Sequence, residues 1–135
     1  MSRLPTSEPI GRGGISLNKK TDPIRGEIWY IDFDPTVGAE IRKMRPAVVI
    51  SSDGIGNLPI KLVAPVTEWK NAFAGKSWLV RIDPDSRNRL AKTSAADILQ
   101  IRGVDLRRFA NRLGHISPAV LDEIAAAVAI VVESP

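Results

Sequence analysis

Cysteine is absent, histidine occurs once, and aromatic residues make up only 5% of the 135-residue chain. Without thiols, disulfides and thiolate metal sites are excluded, which agrees with a reducing compartment. With His115 as the sole histidine, a two-histidine acid–base pair within one chain is impossible. A nucleophilic triad has no other imidazole to draw on. His115 itself reads as an ordinary strand-end residue before Ser117. No run approaches the ~18–20 apolar residues of a membrane span. The opening segment MSRLPTSEPIGRGG lacks an apolar h-region, so a secretory signal is not expected and a cytoplasmic location is. Gly11, Gly13 and Gly14 follow no strand-like segment, which leaves no phosphate-cradling glycine loop. Charge of either sign is not strongly in excess: 19 Lys and Arg against 15 Asp and Glu give a net +4. That permits an anionic partner such as RNA without requiring one.

What is present is 44% hydrophobic content in a length suited to one domain. Residues 1–23 carry Pro, Gly, Ser and Lys without periodicity and read as a flexible tail; the folded domain is expected over 24–135. EIWYIDF (27–33) is rich in β-formers, and RPAVVIS (45–51) is a nearly continuous apolar run, so both read as strands, the second buried. IKLVAPVT (60–67) and WLVRI (78–82) continue the series, with Pro65 expected at an edge, a bulge or a strand end. SAADILQIRG (94–103) reads as a strand with an irregular start, VDLRRFAN (104–111) as a possible helical turn, and RLGHI (112–116) as the last strand. Then the period changes. Ser117 can cap a helix with Pro118 at its first position, and Val120, Ile124, Ala127, Val128 and Val131 recur at helical spacing. The expected fold is mainly β with a C-terminal helix: a small, strongly bent antiparallel sheet or partial barrel covered by that helix.

The available chemistry is therefore arginine, threonine, carboxylates and backbone. Asp32 and Asp34 in DFD could suggest metal carboxylates, but Asp34-Pro35 begins a turn and no other acidic cluster accompanies them. No metal or cofactor is expected. In GAEIRKMRPAVVIS (38–51), Arg42, Lys43 and Arg45 crowd against the mouth of a buried strand. A guanidinium fork matches phosphate oxygens, and a strand would hold Arg45 in place for them. Equally, Arg45 could pair with Glu40 in the same loop.

The ordered series R-G-x-x-W at 25–29, D-x-D-P at 32–35, G-x-E at 38–40, R-P-A-V-V at 45–49, VAPVT at 63–67, LQIRGVD at 99–105 and RLGHIS at 112–117 resembles the MazF/PemK toxin family. These are endoribonucleases of bacterial toxin–antitoxin pairs. The likeness spans about residues 24–133 and leaves the tail outside. It implies a small SH3-like barrel, a homodimer, a cognate antitoxin as partner, and metal-independent cleavage of single-stranded RNA, often mRNA, at short sequences. The implied reaction is attack by the ribose 2′-hydroxyl, giving a 2′,3′-cyclic phosphate and a 5′-hydroxyl end.

By the same resemblance Arg45 and Thr67 are the catalytic pair, neutralising and hydrogen-bonding the developing phosphorane charge. Glu40 matches the family acid and would orient Arg45 or contact RNA or antitoxin. Gln100 matches the family glutamine and would read a base edge or hold a loop through backbone bonds. Arg102 and Asp105 are expected to form a local pair. Arg42 and Lys43 would attract phosphate at the rim, and Trp69 and Phe73 could stack on unpaired bases or simply pack under their loop. The sequence departs from the family pattern at Ile41, Arg42 and Lys43, which make the loop more basic, and at Leu99, where many members carry an acid. Two other readings stay open: a protein-binding toxin of the same fold that poisons gyrase, and an inactive relative kept as an interaction domain.

Overall fold

The computed structural model describes residues 22–133; the tail expected over 1–23 falls almost wholly outside them. Seven strands and one long helix follow in order: β1 (Glu27–Asp32), β2 (Met44–Val49), β3 (Ile60–Glu68), β4 (Leu79–Ile82), β5 (Ser94–Asp97), β6 (Arg102–Asp105), β7 (Phe109–His115) and α1 (Pro118–Val131). Every strand pairing is antiparallel. The sheet runs β4-β5-β3-β2-β1-β7, with β6 also on β3, and this path does not close on itself.

The centre of the sheet is buried on both faces. Successive side chains of a strand point to opposite sides. In β1, Ile28 enters the core beneath the helix while Trp29 and Ile31 enter a second core on the other face. In β2, Val48 goes to the helix side and Ala47 and Val49 to the other; in β3, Ala64 and Val66 oppose Val63. Burial on two faces explains why β2 reads as a continuous apolar run rather than an alternating one. Each such buried valine or isoleucine contributes about 1.5–3 kcal/mol.

Helix α1 closes the first core with Ile124 and Ala127, and Val120, Val128 and Val131 pack beside them. Ser117 caps it, its Oγ accepting from the Val120 amide at 3.2 Å, with Pro118 in the first turn. Both features match the sequence reading.

Pro65 departs from it. It lies within β3, buried, opposite Ala47 of β2. It is tolerated because the partner on the other side changes there: β6 pairs Ile60 to Val63, and β5 takes over only from Val66. The expected strand over 94–103 is also two strands, β5 and β6, split by a 3-10 turn at Ile98–Gln100. Asp97 causes the break, its Oδ1 accepting from the Leu99 amide at 3.1 Å in competition with the ladder. Asp105 does the same for the turn at Leu106–Arg108, accepting from the Arg107 amide at 2.8 Å. The last strand then begins at Phe109 rather than Arg112.

Candidate active site

Arg45 lies near the start of β2 and Thr67 near the end of β3. The register pairs Val49 with Val63, Val48 with Ala64 and Ala47 with Pro65. Continued two residues further, it sets Arg45 opposite Thr67. The β2–β3 ladder ends at Ala47, while β2 runs on against β1 (Arg45 opposite Ile31) and β3 against β5 (Thr67 opposite Ala95). A cavity of about 220 Å³ lies at this fork, lined by Arg45 and Thr67 together with Tyr30, Glu68, Arg89 and Lys92.

Both central side chains keep polar groups for a ligand. The Arg45 Nε donates to the Arg42 carbonyl at 3.0 Å, which fixes the plane of the guanidinium. Among the described residues, no protein acceptor meets its two Nη groups, and the Thr67 hydroxyl has no partner. A planar cation and a hydroxyl on facing strands can hold and polarise a tetrahedral or pentacoordinate oxyanion.

Glu40 and Gln100 are brought together elsewhere. They line a second cavity of about 320 Å³ with Phe33, Pro65, Leu99 and Arg102. The Gln100 Oε1 accepts from the Ile41 amide and its Nε2 donates to the Ala39 carbonyl, both at 3.2 Å. Of the two roles open for Gln100, holding the loop is the one its contacts serve. Glu40 accepts from the Val37 amide at 2.8 Å, and no ion pair joins it to Arg45 among the described residues. Arg102 does not pair with Asp105. It donates to the Phe33 carbonyl at 3.2 Å and lies over the Phe33 ring. Asp105 instead binds Arg107, 2.9 Å away and close enough in sequence to reach without leaving the turn.

Arg42 and Lys43 are exposed on the 33–43 loop, which is closed by the Phe33 amide donating to the Lys43 carbonyl at 3.0 Å. Trp69 and Phe73 meet edge to face at 5.7 Å with Arg81 over the indole, and neither lines the two cavities described here. In DFD, the Asp32 carboxylate accepts from the Asp34 amide at 3.1 Å, a turn-forming contact. Sequence reasoning missed Tyr30, Arg89 and Lys92. The basic run RNRLAK (87–92) was the available signal, but nothing local says that it folds back onto β2 and β3.

Three carboxyl groups near these elements are shifted, and the Arg107 side chain leads in holding Asp105 below the usual range. Burial raises Asp97, against the Leu99 and Gln100 amides that favour its charged form. The Asn88 amide leads in holding Asp85 below the usual carboxylate range. Among the described residues, no helix is long and apolar enough to cross a membrane.

The chain is 32% identical over 111 residues to Endoribonuclease EndoA of Bacillus subtilis (strain 168), covering 78% of this chain and 90% of that protein. It is 32% identical over 119 residues to Endoribonuclease toxin ChpB of Escherichia coli (strain K12), covering 85% and 98%. The crystal structure of MazF (Form-I) from Deinococcus radiodurans superposes with a TM-score of 0.69 at 24% identity, covering 84% of this chain and 99% of that one. The family described as PemK-like, MazF-like toxin of type II toxin-antitoxin system matches residues 24–132. The seven-stranded antiparallel sheet with its C-terminal helix, the extent of that match and the two relatives agree, and the chain belongs to this toxin family.

Proposed function

We propose that this chain is a metal-independent endoribonuclease that cuts single-stranded RNA, mRNA in the cell, at short sequences. The observation that carries the reading is the meeting of Arg45 and Thr67 in one cavity with their polar ends free. The substrate brings its own nucleophile. The 2′-oxygen forms a bond to phosphorus, the bond to the 5′-oxygen breaks, the 2′-hydroxyl gives up its proton and the leaving oxygen takes one. The products are a 2′,3′-cyclic phosphate and a 5′-hydroxyl. The Arg45 guanidinium neutralises the non-bridging oxygens as their charge grows, and Thr67 donates to the same charge. A guanidinium with a pKa above about 12 is a poor proton acceptor near neutral pH, so its role is electrostatic. Arg42 and Lys43 attract the strand from the rim. As a toxin of a type II pair, the protein has a cognate antitoxin, which in this reading lays an extended acidic segment over the same basic face.

The active form in this reading is a cytoplasmic homodimer. Leu58, just before β3, and Ile60 and Leu62 within it are exposed, and Leu62 lines a groove with Ile50, Leu121 and Val128. A second copy would cover this apolar face, and light scattering on the purified protein checks it.

The decisive test incubates the protein in EDTA with a long single-stranded RNA and maps new 5′ ends. Discrete cuts with free 5′-hydroxyls are expected, and Arg45→Ala should abolish them while circular dichroism shows the fold intact. Intact RNA after incubation with folded wild-type protein would overturn the reading in favour of a protein-binding toxin.

A further inference from the structure

The segment between β4 and β5 is built more firmly than a connection requires. Asn88 is only 2% exposed. Its Oδ1 accepts from the Asp85 and Leu90 amides at 3.1 and 3.0 Å, and its Nδ2 donates to the Asp83 carbonyl at 2.9 Å. Asp85 Oδ1 in turn accepts from the Arg87 and Asn88 amides at 2.8 and 2.7 Å. The Arg87 carbonyl then accepts from the His115 amide of β7 at 3.1 Å. Gly114 makes that approach possible, because a Cβ there would stand 2.1 Å from the Arg87 oxygen. Leu90, two residues after the bend, is anchored in the helix-side core.

Arg89 sits between these two anchors. Its own backbone is left-handed, with φ at +56°. A non-glycine residue there costs roughly 1–2 kcal/mol relative to its preferred regions. The anchored bend places Arg89 in the lining of the cavity that holds Arg45 and Thr67. The other cation of that segment that lines the cavity, Lys92, faces the Glu68 carboxylate at 3.6 Å. Among the described residues Arg89 has no carboxylate partner. The cavity thus has Arg45 beside the reacting position, Lys92 matched by Glu68, and Arg89 as a second, uncompensated guanidinium carried on an anchored backbone.

We propose that Arg89 binds a phosphate adjacent to the scissile one, so that the strand is held at two successive phosphates. This rests on the ribonuclease reading of the Arg45–Thr67 cavity and adds a subsite to it. Arg89 acts in binding: it holds the strand in register and does not touch the bond that breaks.

The test uses an oligonucleotide with a single cut site and a neutral methylphosphonate placed at each flanking linkage in turn. With wild-type protein, one flanking substitution should raise KM about 10-fold. Arg89→Gly should raise KM by a similar factor on the all-phosphate substrate, lose further sensitivity at that one linkage, and flatten the slope of log KM against log salt by about 0.7. Glycine removes the guanidinium while relaxing the left-handed backbone, so a folding defect is not expected. Arg89→Lys should recover part of the affinity. An unchanged KM and salt slope in Arg89→Gly, or undiminished sensitivity at every linkage, would overturn the proposal. Binding measured by anisotropy in an Arg45→Ala background separates the two readings. If wild type fails to cut RNA but Arg89→Gly still lowers affinity and salt slope there, the cleavage reading fails and the phosphate subsite stands. If cleavage is present and Arg89→Gly binds as tightly as its parent, only the subsite fails.

Discussion

Two cavities meet the same strand at consecutive positions: Pro65 lines one, and Val66 and Thr67 line the other. Each contains an arginine, yet their polar groups are used differently. In the larger cavity, Gln100 is committed to the loop at Ala39 and Ile41, Glu40 to the Val37 amide, and Arg102 to the Phe33 carbonyl and ring. In the smaller, Arg45 gives one nitrogen to the Arg42 carbonyl. Among the described residues its remaining nitrogens and the Thr67 hydroxyl have no protein partner. Satisfied polar groups support a fold; fixed but unsatisfied ones are available to a ligand. In the proposed reading the larger opening is therefore the buttress and the smaller one the reaction site. The two are linked, since the loop clamped by Gln100 leads directly to the carbonyl that orients Arg45.

The sharpest way to break this comparison is to make the same exchange on both sides. Arg45→Lys keeps the charge but loses the planar fork, and RNA cleavage should fall about 100-fold or more with stability within about 0.5 kcal/mol of wild type. Arg102→Lys should show the opposite split. It loses the carbonyl bond and the ring contact, lowering unfolding free energy by about 1–2 kcal/mol, with kcat largely retained. Urea melts and cleavage kinetics on the same preparations read both. If Arg102→Lys were the variant that lost activity without losing stability, the roles of the two cavities would have to be exchanged.

Removing one hydroxyl tests the smaller cavity further. Thr67→Val is close to isosteric and suits a strand, so the fold should be kept. The lost donor should lower kcat by about 100-fold. On the other side, Gln100→Ala removes two neutral hydrogen bonds to backbone, each worth about 1 kcal/mol. Hydrogen exchange at residues 39–41 should quicken, and the sites at which RNA is cut should not change. A changed cut site would mean that Gln100 reads a base and the loop clamp is secondary.

The sequence made the central strands legible because their apolar runs face two cores, and it made α1 legible because Ser117, Pro118 and the helical spacing agree. Arg45 and Thr67 stood out through family resemblance, and the register of β2 and β3 explains in physical terms why positions 22 residues apart are opposite one another. Other features were hidden for identifiable reasons. The break inside 94–103 depends on one aspartate choosing a local amide over the ladder. Pro65 is acceptable only because β5 and β6 divide the far side of β3 between them. Arg102 could be assigned to Asp105 from proximity in sequence, but its partner Phe33 is 69 residues away. Arg89 enters the site through Gly114 and Asn88, which are close only in the folded chain.

The smallest expected effect lies at Asp97, at the edge of the buttress. Its carboxyl is raised above its ordinary value chiefly by burial, and its Oδ1 accepts from the Leu99 amide. A raised pKa in the folded state means that the ionised form is less stable there than in the unfolded chain. The resulting penalty is present above the folded pKa and is relieved as pH falls through it, because the native state takes up the proton first. Asp97→Asn keeps an oxygen for the Leu99 amide and removes the charge. The variant should be slightly more stable than wild type at neutral pH, and the gap should close as pH falls into the carboxylate titration range. Urea midpoints measured from about pH 7 down to about pH 3.5 follow the gap across that range. A gap that widened in acid would mean that the charged carboxylate supports the turn before Gln100 more than its burial opposes it, and the loop clamp would then depend on an ionised Asp97.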